Sequence, residues 1–121
     1  NIQNNVVGLD FILNLKPVTY NYNFKAIDSK SQNSNIRYSG FIAQEVEQTA
    51  KKVNYDFSGV DVPKNQNDFY SLRYAEFVVP IVKSIQEQQK TIEALKLELE
   101  LQKQKNETLE KRLKAIEEKL K

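Results

Sequence analysis

Apolar residues in Val6 to Leu15 fall at Leu9, Ile12 and Leu13, with Phe11 and Leu15 less regular. That spacing predicts a short helix. Pro17 disfavours helical backbone at Lys16 and stops the helix there. Strict alternation follows, with Val18, Tyr20, Tyr22 and Phe24 on one side and Thr19, Asn21 and Asn23 on the other. This predicts a strand over 18–24 with one buried face. Residues 28–35 are wholly polar and read as a loop. Arg37 to Ile42 reads as a second strand, and Gly40 inside it signals a bulge or a close backbone approach. Residues 43–52 suit a short helix. Residues 53–73 alternate loosely, with Gly59, Pro63 and the polar run 64–68 as turns. They read as a hairpin or meander whose last strand is Phe69 to Tyr74.

From Ala75 the pattern is helical to Lys121, and Pro80 is tolerated only within the first turn or so. Position a of a heptad falls on Val78, Ile85, Ile92, Leu99, Asn106, Leu113 and Leu120. Position d falls on Ile81, Gln88, Leu95, Gln102, Leu109 and Ile116. All are aliphatic except Gln88, Gln102 and Asn106, and the repeat runs without a stutter, as in a coiled coil. Position g carries Glu98, Lys105 and Arg112, and the following e carries Lys103, Glu110 and Glu117. All three g-to-e pairs are opposite in sign, as parallel, in-register helices require. A solitary surface helix with a solvated face is the alternative, but such a helix rarely keeps a strict 3.5-residue stripe.

Ile at both a and d (Ile85, Ile92, Ile81, Ile116) favours three strands over two. Arg112 to Glu117 is similar to the trimerisation signature Arg-h-x-x-h-Glu, in which the Arg packs over the core and meets a neighbour's Glu. Asn106 at an a position pulls toward a dimer, whereas Gln88 and Gln102 at d suit a hydrated layer in a trimer. The expectation is a parallel homotrimer, with a dimer as the alternative. Asn106-Glu107-Thr108 is a glycosylation sequon by pattern, but a core position makes its Asn a register-setting residue.

Composition narrows the chemistry. Eighteen Lys+Arg against 16 Asp+Glu leave a net charge of +2, which makes no global case for nucleic acid or an anionic membrane as partner. With neither Cys nor His, a disulfide scaffold, thiol catalysis, a Ser-His-Asp triad and a Cys/His zinc site are excluded. The longest apolar stretch, Phe77 to Val82, is too short to span a bilayer, and nothing at the start reads as a signal peptide. The 121 residues suffice for one small domain, and the start at Asn1 without Met suggests a fragment of something longer. The aromatics and glycines concentrate before Tyr74. The chain therefore reads as α+β, with a mixed unit over 1–74 and a coiled-coil helix over 75–121. A unit this small buries only roughly 60% of its surface and is expected to need neighbours.

Other constellations are weaker. Asp56, Asp61 and Asp68 lack the spacing of a calcium loop and read as turn carboxylates. Tyr20, Tyr22 and Phe24 have the look of a base-stacking platform, but without basic residues around them a core face is favoured. Ser29, Ser31 and Ser34 read as loop hydroxyls, and Ser39 as packing. No catalytic residue, metal ligand or cofactor is assigned.

Three segments carry a family resemblance. Tyr38 to Glu47 contains Gly40-Phe41-Ile42-Ala43-Gln44-Glu45-Val46-Glu47, which resembles the core motif of the intramolecular chaperone, or peptidase S74, domain. Leu9 to Tyr20, including Lys16-Pro17-Val18-Thr19-Tyr20, resembles that family's Leu-x-Leu-(Lys/Arg)-Pro-Val-x-Tyr segment. Tyr74 to Glu87 resembles its lead into the C-terminal coiled coil. Such domains close phage tail spikes, tail fibres and neck appendages, and some bacterial surface proteins. The resemblance implies a homotrimer that nucleates folding of the upstream fibre or spike in the same chain and is then released by its own serine peptidase activity. It implies a virion-tail or cell-surface setting for the parent and the host cytoplasm for the released fragment. The family's cleavage motif is of the form Ser-Asp-x-Arg-Leu-Lys-x-Asn-Ile. Asn1-Ile2 matches its end, so the nucleophilic Ser and the Lys base are expected before Asn1. A permanent trimeric tip or stalk is the alternative function.

Overall fold

The computed structural model describes every residue except Ser31, Asn33 and Ser34. The expectation for the loop over 28–35 falls in part on those three, outside the described residues. The elements are α1 (Leu9–Ile12), β1 (Val18–Tyr20), a 3-10 turn (Phe24–Ala26), β2 (Tyr38–Gly40), α2 (Ala43–Lys52), β3 (Val60–Asp61), β4 (Ser71–Leu72), a second 3-10 turn (Tyr74–Phe77) and α3 (Val78–Lys119). A small mixed helix–strand unit is thus followed by one long C-terminal helix. By compactness the chain forms two units, Asn1–Ser84 and Ile85–Lys121.

The first helix is a single turn rather than the longer one expected over 6–15. The amides of Phe11 and Ile12 donate to the Gly8 carbonyl. The turn ends where the Asn14 side chain donates to the Asp10 carbonyl at 2.7 Å, a local bond that competes with helix continuation. Four residues cannot form a 3.6-residue stripe, so packing decides which side chain is buried. That residue is Phe11, fully buried, while Leu13 is 71% exposed. The Phe11 ring meets Tyr55, Phe57 and Phe77 at centroid distances of 5.2, 4.8 and 6.5 Å.

β1 pairs antiparallel with β2, Val18 opposite Gly40 and Tyr20 opposite Tyr38. The strand expected to reach Phe24 stops at Tyr20. Beyond it, the Asn21 amide donates to the Ile36 carbonyl and the Arg37 guanidinium donates to the Asn21 side-chain oxygen, both at 2.7 Å. Side-chain bonds there replace ladder bonds, and the Asn23 carbonyl then accepts the Ala26 amide to open the 3-10 turn. The expected buried face is also corrected. Val18 and Tyr20 are half-buried, but Tyr22 and Phe24 are 44% and 37% exposed. The rings shelter one another instead: Tyr22 lies 4.9 Å from Tyr38 and 5.5 Å from Phe24, and Tyr20 lies 5.8 Å from Tyr38. A hydrogen bond to Tyr22, with partial desolvation, pushes the Tyr20 phenol up to about 12.

α2 spans the predicted residues. Its inner face buries Val46 and Ala50. It ends with Asn54 in the left-handed region at φ 54°, where a short amide side chain is tolerated. The Tyr55 amide returns to the Ala50 carbonyl at 2.8 Å, which aims Tyr55 at Phe11. β3 and β4 form the expected hairpin, Val60 opposite Leu72, shorter than the strand predicted over 69–74. Phe11, Val46, Ala50 and Phe77 make the core, with Phe41, Tyr55 and Phe57 among the half-buried residues packed on it.

One surface cluster carries a pH dependence. Glu47 accepts hydrogen bonds from Lys51 and from the Tyr70 hydroxyl, the latter at 2.7 Å. Lys51 first, then Tyr70, hold the Glu47 carboxyl below its usual range. A depressed carboxyl stabilises the fold above its unfolded pKa, about 4.3. That stability is lost as pH falls through the lower, folded value. Melting temperature measured between pH 7 and 2.5 should therefore fall at the acid end, and Glu47→Gln should flatten that fall while lowering the plateau. An unchanged acid slope in Glu47→Gln would remove Glu47 as its source.

Candidate assembly surface

The residues of the sequence motif are a packing joint. Pro17 is exposed and precedes β1. Gly40 ends β2, and its φ is not in the left-handed region. Its lack of a side chain serves a close approach: a Cβ there would collide with the Tyr74 hydroxyl and stand 3.3 Å from the Tyr20 ring. The regular register across Gly40 decides between the two sequence readings, a bulge and a close approach. The Tyr74 oxygen accepts the Phe41 amide at 3.1 Å, and the Phe41 ring stacks on Phe77 at 5.2 Å with an 11° tilt. Ile42 is the N-cap of α2, and Ala43, Gln44 and Glu45 form its first turn. Glu45 accepts the Thr49 hydroxyl at its carbonyl, 2.9 Å away. Val46 is buried in the core.

Several hydroxyls and carboxylates of the chain have local partners. Ser58 donates to Glu76 at 2.8 Å, Ser71 to Asp61 at 3.3 Å, and buried Ser84 to the Pro80 carbonyl at 2.8 Å. Asp61 also pairs with Arg73 at 3.2 Å. Asp68 accepts the amides of Lys64 and Phe69. Ser31 and Ser34 lie outside the described residues.

α3 is the largest feature left uncovered. Pro80 is its third residue and is buried, so its missing amide costs no helix bond. The aliphatic a and d positions, Val78, Ile81, Ile85, Ile92, Leu95, Leu99, Leu109, Leu113, Ile116 and Leu120, are all exposed, from 42% at Ile81 to 82% at Leu120. Gln88 at d is exposed as well. Gln102 donates to Asn106 at 3.1 Å, so two successive polar positions of the stripe are bonded along the helix. Arg112 and Glu117 are exposed on its flanks. Two leucines off the stripe, Leu97 and Leu101, are also exposed. The sequence reading did not single out Tyr74. It belongs to the 3-10 turn that leads into α3, and only the fold brings its hydroxyl over Gly40.

Residues 1–55 match the family model of the peptidase S74 domain, described as the chaperone of endosialidase. The resemblance read from Leu9–Tyr20 and Tyr38–Glu47 is therefore shown over that stretch, which runs from the N-terminus through α1, β1, β2 and α2. The third segment, Tyr74 to Glu87, lies outside the matched residues. No curated protein and no solved structure matches the chain. The match supports a class: a chaperone-type domain of this general kind.

The joint is testable by a double-mutant cycle. Gly40→Ala should cost about 1–3 kcal/mol through overpacking against the Tyr74 hydroxyl. In a Tyr74→Phe background the same change should cost less than about 1 kcal/mol, because the colliding atom is gone. Urea denaturation of the four proteins measures this. Additive costs would mean that the collision is not what excludes a side chain at Gly40.

Proposed function

We propose that this chain is an intramolecular chaperone that trimerises through α3 and thereby nucleates folding and assembly of a fibre or spike domain upstream in the same polypeptide. The observation that carries the reading is the heptad stripe that begins at Val78, aliphatic except at Gln88, Gln102 and Asn106 and exposed along a helix of 42 residues. A row of that length left in water forgoes roughly 25 cal/mol for each Å² of apolar surface that a partner would cover. The period of 3.5 residues selects another helix with the same repeat as the partner. Opposite signs at g and e favour parallel, in-register copies. Each exposed pair contributes only a few tenths of a kcal/mol, but all three act in the same direction. Mixed Ile at a and d, with the Arg112-to-Glu117 segment, favours three copies.

Trimerisation solves a kinetic problem of fibrous proteins, whose three chains must align before any interchain contact forms. Once α3 clamps three chains, their upstream segments meet at an effective concentration on the order of mM. In the tail-fibre setting of the family, self-cleavage then releases the chaperone. No residue of this chain is assigned to that step.

Three measurements test the reading. Sedimentation equilibrium should give a homotrimer, three times the 14.1 kDa chain mass; a monomer at all concentrations overturns it, and a dimer overturns the stoichiometry. Asn106→Leu should raise the melting temperature while loosening the choice of register or oligomer; a fall of several degrees would contradict the assigned heptad. Ile92→Asp with Leu95→Asp places carboxylates in two adjacent core layers, each buried charge costing several kcal/mol unless protonated or hydrated. A fibre fused upstream of that double variant should lose most of its soluble, SDS-resistant trimer. A yield equal to wild type would make the domain a passive structural tip.

A further inference from the structure

The two sides of α3 differ over its first two turns. Pro80 and Ser84, at heptad positions c and g, are buried, and with the mixed unit they belong to the compact body Asn1–Ser84. The mixed unit therefore covers the c and g side of the helix at that level. On the b and e side, Val79 and Val82 are three residues apart and so share a face; they are 52% and 48% exposed. Neither belongs to the a/d seam, and a helix seated on that seam leaves position b in water. Every later b position, from Gln86 to Lys121, is Gln, Glu or Lys, and so is every later e position, from Gln89 to Glu117. The b and e side is thus apolar only at the level where the mixed unit flanks the helix on its other side.

We propose that Val79 and Val82 seat the mixed unit of a neighbouring copy of this chain. The proposal rests on the homotrimer reading and adds a contact outside its helical seam. Two observations favour this occupant. The opposite charges at g and e, Glu98 with Lys103, Lys105 with Glu110 and Arg112 with Glu117, favour parallel, in-register copies, with the g flank of one helix against the e flank of the next. A body carried on the c and g side of one helix then overhangs the b and e side of its neighbour at the same height. The second observation is that coincidence of level: the two valines stand where such a body would reach, and charged or amide side chains stand at b and e below it. Repeated around a three-fold axis, the contact closes a ring. Each mixed unit then grips the next helix at its N-terminal end, on the side of whatever must align upstream.

Thiol labelling of the full chain tests this. The chain contains no Cys, so a single introduced thiol reports its own position. Position b discriminates, because a bare coiled coil leaves it exposed. The thiol of Val79→Cys should react with a maleimide several-fold more slowly in the assembled chain than when Ile92→Asp and Leu95→Asp are added. Glu100→Cys, also at position b but below the mixed unit, should label at the same rate in both backgrounds. Independently, Val79→Ser should still trimerise, with a dissociation constant raised severalfold in sedimentation equilibrium, although that side chain is exposed in the single chain. If the chain is a trimer, yet the Val79→Cys thiol labels as fast as in the dissociated variant or Val79→Ser dissociates like wild type, the valines are not covered by a neighbour. That result overturns this proposal alone. A wild-type chain that sediments as a monomer overturns the homotrimer reading, and this proposal with it.

Discussion

Four rings converge on Phe77. Phe57 meets it edge-on at 4.8 Å, Phe41 stacks on it at 5.2 Å, Tyr74 at 5.7 Å and Phe11 at 6.5 Å. These rings come from α1, the β2–α2 joint, the segment before β3 and the turn that leads into α3. Among the described residues the core cluster is small, Phe11, Val46, Ala50 and Phe77, so the mixed unit has little else to organise it. Aromatic pairs contribute about 0.5–1.5 kcal/mol each beyond their buried area, and here they replace the sheet-to-helix packing that a larger domain would use. The two sheets have two strands apiece, too few to be stable without such a cluster.

The same economy explains the sequence motif. Gly40-Phe41-Ile42-Ala43-Gln44-Glu45-Val46 is a packing device. It compresses into seven residues a close approach at Gly40, a ring for Phe77 at Phe41, an extended N-cap at Ile42 and a core residue at Val46. A substitution at any of these positions disturbs the joint that places Tyr74 and the start of α3. The similarity over residues 1–55 covers the Gly40–Val46 side of this joint and neither Tyr74, Phe77 nor α3.

The contrast between the two units is one of burial. The mixed unit buries a core of its own, and the aliphatic positions of the α3 stripe all stay exposed. A long helix is stabilised mainly by packing its apolar face, with propensity contributing less. Its residues are strong helix formers, rich in Glu, Lys, Leu and Gln, so propensity supports the helix along its length. Asn106 and Gln102 interrupt the stripe, and Gln102 donates to Asn106 along the helix.

What the sequence by itself determined is whatever repeats. The heptad, the extent of α2 and the hairpin at 60–72 follow from periodicity and turn residues, because each position adds a little to the same local preference and long regular segments average out the exceptions. Gly40 could be read as a close approach or a bulge, and only the structure named Tyr74 as the group above it. The short elements were decided by distant side chains. β1 ends early because Arg37 and Ile36 bind Asn21, and Phe11 rather than Leu13 is buried because Tyr55, Phe57 and Phe77 meet there. No local pattern encodes such contacts. They depend on residues 15 to 66 positions apart in the chain, which only the folded chain brings together.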